Sequence, residues 1–107
     1  MTRRCSWEDL KGGTMLSQIP FDLGKLSDED LEREILRVAI IAELDAINLY
    51  EQLASMTENK LVKKVFLDIA REEKTHVGEF QTLLLMRDEE QVKELEEGRE
   101  EVEELKD

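Results

Sequence analysis

A chain of 107 residues with 27 acids against 15 bases, a formal net charge of −12, can hold one domain with a modest core. That charge disfavours nucleic acid and anionic membranes and favours cations or basic protein surfaces. One cysteine, Cys5, cannot form an intrachain disulfide, the N-terminus lacks the apolar stretch of a secretory signal, and the longest apolar run in the helical part, Val38 to Ala42, is far too short to span a bilayer. A soluble, cytoplasmic protein is expected.

Residues 1–26 contain Gly12, Gly13, Pro20 and Gly24, show no sustained period, and read as a partly disordered N-terminal arm. Trp7, Met15, Leu16, Ile19 and Phe21 are the side chains that would dock it on a neighbour. Ser27-x-x-Asp30 then opens a helix, with acids crowding its first turn as the helix dipole prefers. Rich in Leu, Ala, Glu and Ile and free of Gly and Pro, it is predicted from Asp28 to Ser55. The turn around Met56 to Asn59 is too short for a crossover, so a second helix, predicted from Lys60 to Met86, must fold back antiparallel. Residues 27–87 thus form a helical hairpin. Asp88-x-x-Gln91 is a further capping pattern and opens a third helix through Glu104. Its stripe of Val92, Leu95, Val102 and Leu105 is thin, and Gly98 inside it costs about 1 kcal/mol relative to Ala. Residues 88–107 hold 11 acids and 3 bases, so the acidity concentrates there, most simply as a solvated helix.

The stripes of the first two helices carry the chemistry. They read Leu36, Ile40, Glu43, Ile47, Tyr50, Ala54 and Val62, Phe66, Ile69, Glu73, His76, Phe80, Leu83, each in steps of three and four that keep one helix face. Burying an unpaired carboxylate costs several kcal/mol, so ionisable groups in such a seam need a strong partner, of which a metal ion is one. Glu43 lies 14 residues before Thr57 and Glu73 lies 16 after it, so at about 1.5 Å per residue their depths differ by roughly 3 Å. Glu73 and His76 form an E-x-x-H whose members sit on neighbouring turns.

Two glutamates and one histidine are half of the ligand set of ferritin-like di-iron carboxylate bundles, which take one Glu from each of two helices and an E-x-x-H from each of the other two. A two-fold dimer would rebuild the whole set and supply the four helices that one chain lacks. Taken singly, His76 reads as a satisfied core histidine and Glu73 as an exposed charge beside a base; three ligand groups at one depth favour the metal. Tyr50 reads equally well as a buried tyrosine satisfied locally. Asp45, Glu51, Glu72 and Glu79 lie off the seams, where a solvated face is the default. Cys5 completes no Cys/His metal spacing.

The run Ala42-Glu43-Leu44-Asp45-Ala46-Ile47-Asn48-Leu49-Tyr50-Glu51-Gln52, followed by Ala70-Arg71-Glu72-Glu73-Lys74-Thr75-His76, resembles the encapsulated ferritin family over about residues 30 to 105. The resemblance implies an all-α subunit, an antiparallel hairpin plus a shorter C-terminal helix, that dimerises into a ferritin-like four-helix bundle. It implies a homodimer assembling into a higher ring, commonly a decamer, housed inside an encapsulin shell. The implied activity is a ferroxidase that uses dioxygen to oxidise Fe(II) at a di-iron centre shared between two subunits, so that iron mineral is stored in the shell. By position Glu43, Glu73 and His76 match the iron ligands, Tyr50 a tyrosine that hydrogen-bonds a ligating carboxylate, and Asp45 an acid at the mouth of the centre. The chain departs from the pattern at Ala42, where another acid is common, at Leu49, where an aromatic is common, and in its last residues, Glu103-Glu104-Leu105-Lys106-Asp107, in place of an apolar shell-targeting tail. Two other expectations compete: a peroxide-scavenging di-iron protein of rubrerythrin type, and a metal-free structural helical adaptor.

Overall fold

The computed structural model describes residues 27–106; the arm at 1–26, with Cys5 and its apolar side chains, lies outside the described residues. Three helices follow in order, α1 over Asp28–Met56, α2 over Lys60–Leu85 and α3 over Glu89–Glu104, and no strand occurs among the described residues.

Each helix starts on a side chain that satisfies its first free amides. Ser27 accepts from the Asp30 backbone N–H at 3.2 Å, Asn59 from those of Leu61 and Val62 at 3.0 Å each, and Asp88 from that of Gln91 at 2.9 Å. Only Thr57, Glu58 and Asn59 separate α1 from α2. So short a link returns the chain antiparallel to itself, and the hairpin follows from a tight stop and an immediate cap.

The core is one narrow seam: Leu36, Ile47 and Ala54 from α1 against Ala70 and Leu84 from α2. On α1 the buried residues belong to the expected stripe. On α2 they do not. Val62 and Leu83, its expected ends, are 41% and 42% exposed, while Ala70 and Leu84 take the deep positions. At 3.6 residues per turn, Ala70, Val77 and Leu84 line one edge of the α2 stripe, and Ile69, His76 and Leu83 the other. One neighbouring helix covers only the first edge, because the stripe is wider than a two-helix contact.

α3 leaves the hairpin at Asp88, whose carboxylate takes the Arg37 guanidinium at 3.0 Å. None of its residues is buried, and Val92, Leu95, Val102 and Leu105 are all exposed. Among the described residues no helix is long and apolar enough to cross a membrane.

Candidate metal centre

Glu43 projects from the middle of α1, and Glu73 and His76 from successive turns of α2. One ligand atom from each lies within 4.8 Å of the other two. His76 turns Nδ1 toward both carboxylates, 3.3 Å from Glu73 Oε2 and 3.6 Å from Glu43 Oε2. The glutamate side chains are 19% exposed and the imidazole 45%, so the carboxylates sit inward and the ring closes the outer side. Hairpin geometry accounts for this meeting. The depths match across the antiparallel pair, and the three-residue step places Glu73 and His76 on one face.

Glu43 Oε2 is sealed from solvent and, among the described residues, has no hydrogen-bond partner. A buried acceptor without a donor is costly, the more so when it carries charge. A divalent cation would neutralise that oxygen together with Glu73, and hard carboxylate oxygens plus one imidazole nitrogen are a donor set that iron, manganese and zinc all accept. Three protein donors from one chain leave coordination positions open. A second copy facing the first would fill some of these with its own Glu43, Glu73 and His76.

The surroundings of the cluster point the same way. Val62, Val65, Ile69, Phe80 and Leu83 share the His76 edge of α2 by helical period, and Val62, Val65 and Leu83 are exposed. On α1 the corresponding edge runs through Ile35, Ala39, Ala46 and Leu53, with Ile35 exposed. The ligands therefore sit midway along an apolar face that the described residues of one chain leave open.

Tyr50 lies two turns from Glu43 toward the hairpin tip, its ring stacked on Phe66 of α2 with centroids 6.1 Å apart and planes 23° from parallel. Among the described residues the structure does not bring its hydroxyl into a hydrogen bond with the cluster. Asp45 is half-buried and stands outside the ligand group. The expected stripe contained Phe66 without singling it out as the ring beneath Tyr50. The Lys74–Glu51 ion pair, which ties α2 to α1 at 3.3 Å, was not foreseen either; the only sequence signal is that each partner adjoins a seam residue, Glu73 and Tyr50.

Comparison with known proteins bears on the same residues. The pattern of the family described as Rubrerythrin matches residues 34–107. A ferritin-like–encapsulin shell fusion protein of Pyrococcus furiosus is 68% identical over 72 residues, which cover 67% of this chain and 21% of that protein. The encapsulin nanocompartment cargo protein EncC of Myxococcus xanthus is 40% identical over 67 residues, covering 63% of this chain and 51% of that one. The chain thus spans between about a fifth and a half of the length of these curated relatives. The crystal structure of the encapsulated ferritin domain from Pyrococcus furiosus superposes with a TM-score of 0.72 at 60% identity, over 81% of this chain and 87% of that one. By its sequence and by its helical hairpin, the chain belongs to the rubrerythrin family of ferritin-like proteins and, within it, to the encapsulated ferritins.

Proposed function

We propose that the protein is a ferroxidase, oxidising Fe(II) to Fe(III) with dioxygen at a centre completed when two copies meet across the open face of the hairpin. The observation that carries this reading is the convergence of Glu43, Glu73 and His76 within 4.8 Å, with one carboxylate oxygen buried and, among the described residues, without a hydrogen-bond partner. Pairing two copies would offer two Fe(II) ions four carboxylates and two imidazoles. Glu73 of each copy would be placed to serve both ions, and Glu43 and His76 would each hold one. Two-metal sites hold their ions about 3.5–4 Å apart, so a bound pair of Fe(II) would supply the two electrons that, with two protons from solvent, convert one dioxygen molecule to hydrogen peroxide. Carboxylate oxygens favour Fe(III) over Fe(II), which lowers the cost of the electron loss, while imidazole accepts either state. Tyr50 would steady the carboxylates once a second copy covers the face, and Asp45 would draw cations to the mouth.

The likeness to an encapsulin-fused ferritin-like protein and to an encapsulin cargo protein supports a place inside an encapsulin compartment in the cytoplasm, where the homodimer would be built into a higher ring, a decamer. Storage of the oxidised iron would fall to the shell, since a two-helix dimer encloses no space for a mineral. The match to the family described as Rubrerythrin raises peroxide reduction as a second reading with the same ligands.

The test is aerobic addition of Fe(II) to the purified protein, with Fe(III) formation followed by absorbance. Glu43→Ala, Glu73→Ala and His76→Ala are each expected to abolish the rapid phase. Wild-type rates in all three variants would end the assignment.

A further inference from the structure

Away from the ligands, the three helices border a second apolar feature. Ile40 and Ile41 of α1, Leu84 and Leu85 at the end of α2 and Leu95 of α3 line a groove of about 320 Å³, with Arg37 beside them. Leu84 is buried, Ile40, Ile41 and Leu85 are half-buried, and Leu95 is exposed among the described residues. Leu85 comes nine residues after His76, which is half a turn around α2 by helical period. A copy that covers the ligand face therefore leaves this groove uncovered. One of its walls is α3, whose cap is tied to α1 by the Arg37–Asp88 pair.

The stretch of chain just before α1 matches this groove in pattern and in reach. Ile19, Phe21 and Leu23, outside the described residues, alternate with Pro20 and Asp22. In an extended chain residues two apart point to the same side. Proline suits that conformation, since it fixes its own φ and pushes the residue before it, here Ile19, toward extended backbone. Ile40 lies 13 residues beyond Ser27, about 20 Å along α1. Running back from Ser27, the eight residues to Ile19 cover about 26 Å when extended. The stripe thus reaches the groove with about two residues left for the reversal of direction, and Gly24, which accepts the positive φ values of sharp turns, stands where that reversal is needed.

We propose that residues 19–23 dock in the groove of their own chain, laying Ile19, Phe21 and Leu23 against Ile40, Ile41, Leu85 and Leu95 and pinning α3 to the hairpin. Charge favours this occupant over a second copy. Residues 1–26 carry four bases and three acids, whereas residues 27–107 carry 11 bases and 24 acids. The arm therefore brings a slight positive charge to an acidic body, while another whole chain would bring −12 to −12. The tether favours it as well. A segment joined to α1 at Ser27 meets the groove at an effective concentration of about millimolar, which a separate chain in micromolar solution does not match.

The contact is independent of the iron reading, and its test is run on the full chain in EDTA. In a Cys5→Ser background, Leu95→Cys introduces a single thiol in the groove, and its modification by DTNB is followed by absorbance. Ile41→Cys serves as a second reporter on the opposite wall, and Leu83→Cys as a control on the ligand face. Adding Ile19→Asp/Phe21→Asp is expected to speed modification at both groove positions by about tenfold or more, because the thiols no longer wait for the arm to lift. The rate at the Leu83 position should not change. Protection in the groove should also survive dilution by about a hundredfold, since the arm is tethered. Groove rates that ignore the arm substitutions would mean that the groove is open or that something else fills it. Acceleration at Leu83→Cys as well would mean a general loosening of the hairpin, and protection that fades on dilution would mean that a second chain supplies the cover. Any of these three results overturns the proposal.

Discussion

A carboxylate oxygen shut away from water without a donor costs about 1–3 kcal/mol, and Glu43 Oε2 is placed in that position while Glu73 and His76 stand close by. A side chain that only served the fold would be more stable as leucine at the same point of the seam. Glu43→Leu is therefore expected to raise the melting temperature in EDTA by roughly 4–8 °C, the shift that about 1 kcal/mol produces in a domain of this size. The same substitution should erase the stabilisation that Fe(II), Mn(II) or Zn(II) confers on wild type, which reaches about 2.7 kcal/mol at a hundredfold excess over Kd. Thermal melts with and without metal read both effects. A metal-free adaptor predicts no metal shift in wild type, and a variant that melts lower in EDTA would mean that Glu43 has a structural partner of its own.

At the scale of elements, Asp88 controls how α3 begins. The Gln91 backbone N–H and, after it, the Arg37 guanidinium hold its carboxyl below the ordinary value of 3.8. A folded pKa below the unfolded one contributes stability that is present above pH 3.8 and lost as the pH falls through the lower folded value. Asp88→Asn keeps a good helix cap but removes the charge. Wild type should therefore protect the α3 amides better than this variant at neutral pH, with the difference closing below about pH 3.8, as hydrogen exchange would show; a gap that persists unchanged at low pH would assign the effect to shape rather than charge. Ser27-x-x-Asp30 and Asp88-x-x-Gln91 were legible in the sequence because a cap is local, decided within three residues. Glu43, Glu73 and His76 were legible because counting from a three-residue turn is enough to compare depths. The division of the α2 stripe was not, since choosing between the Ala70–Leu84 edge and the Ile69–Leu83 edge depends on which side α1 covers. Nor was the Arg37–Asp88 pair, whose members are 51 residues apart and carry no periodic signature.

For the whole molecule, the core and the site share one deficit. Among the described residues, five buried side chains in a single seam are a thin core for three helices, and the ligands occupy the middle of the apolar face that those residues leave open. Covering that face with a second copy would remedy both, so the oxidation rate should depend on association as strongly as on the ligands themselves. Leu83 tests this without touching the cluster: it lies two turns beyond His76 on the same edge and is 42% exposed in the single chain, so a charge there spares the hairpin. Leu83→Asp would place two carboxylates in the paired interface, and at ~1.4 kcal/mol per decade a penalty of a few kcal/mol weakens association by about two orders of magnitude. The variant should stay helical by circular dichroism, sediment as a monomer at micromolar concentration, and lose rapid Fe(II) oxidation with Glu43, Glu73 and His76 all intact. Raising its concentration should bring back the dimer and the rate together, since the same contact governs both. A monomeric Leu83→Asp protein that oxidised Fe(II) at the wild-type rate would place the complete centre within one chain.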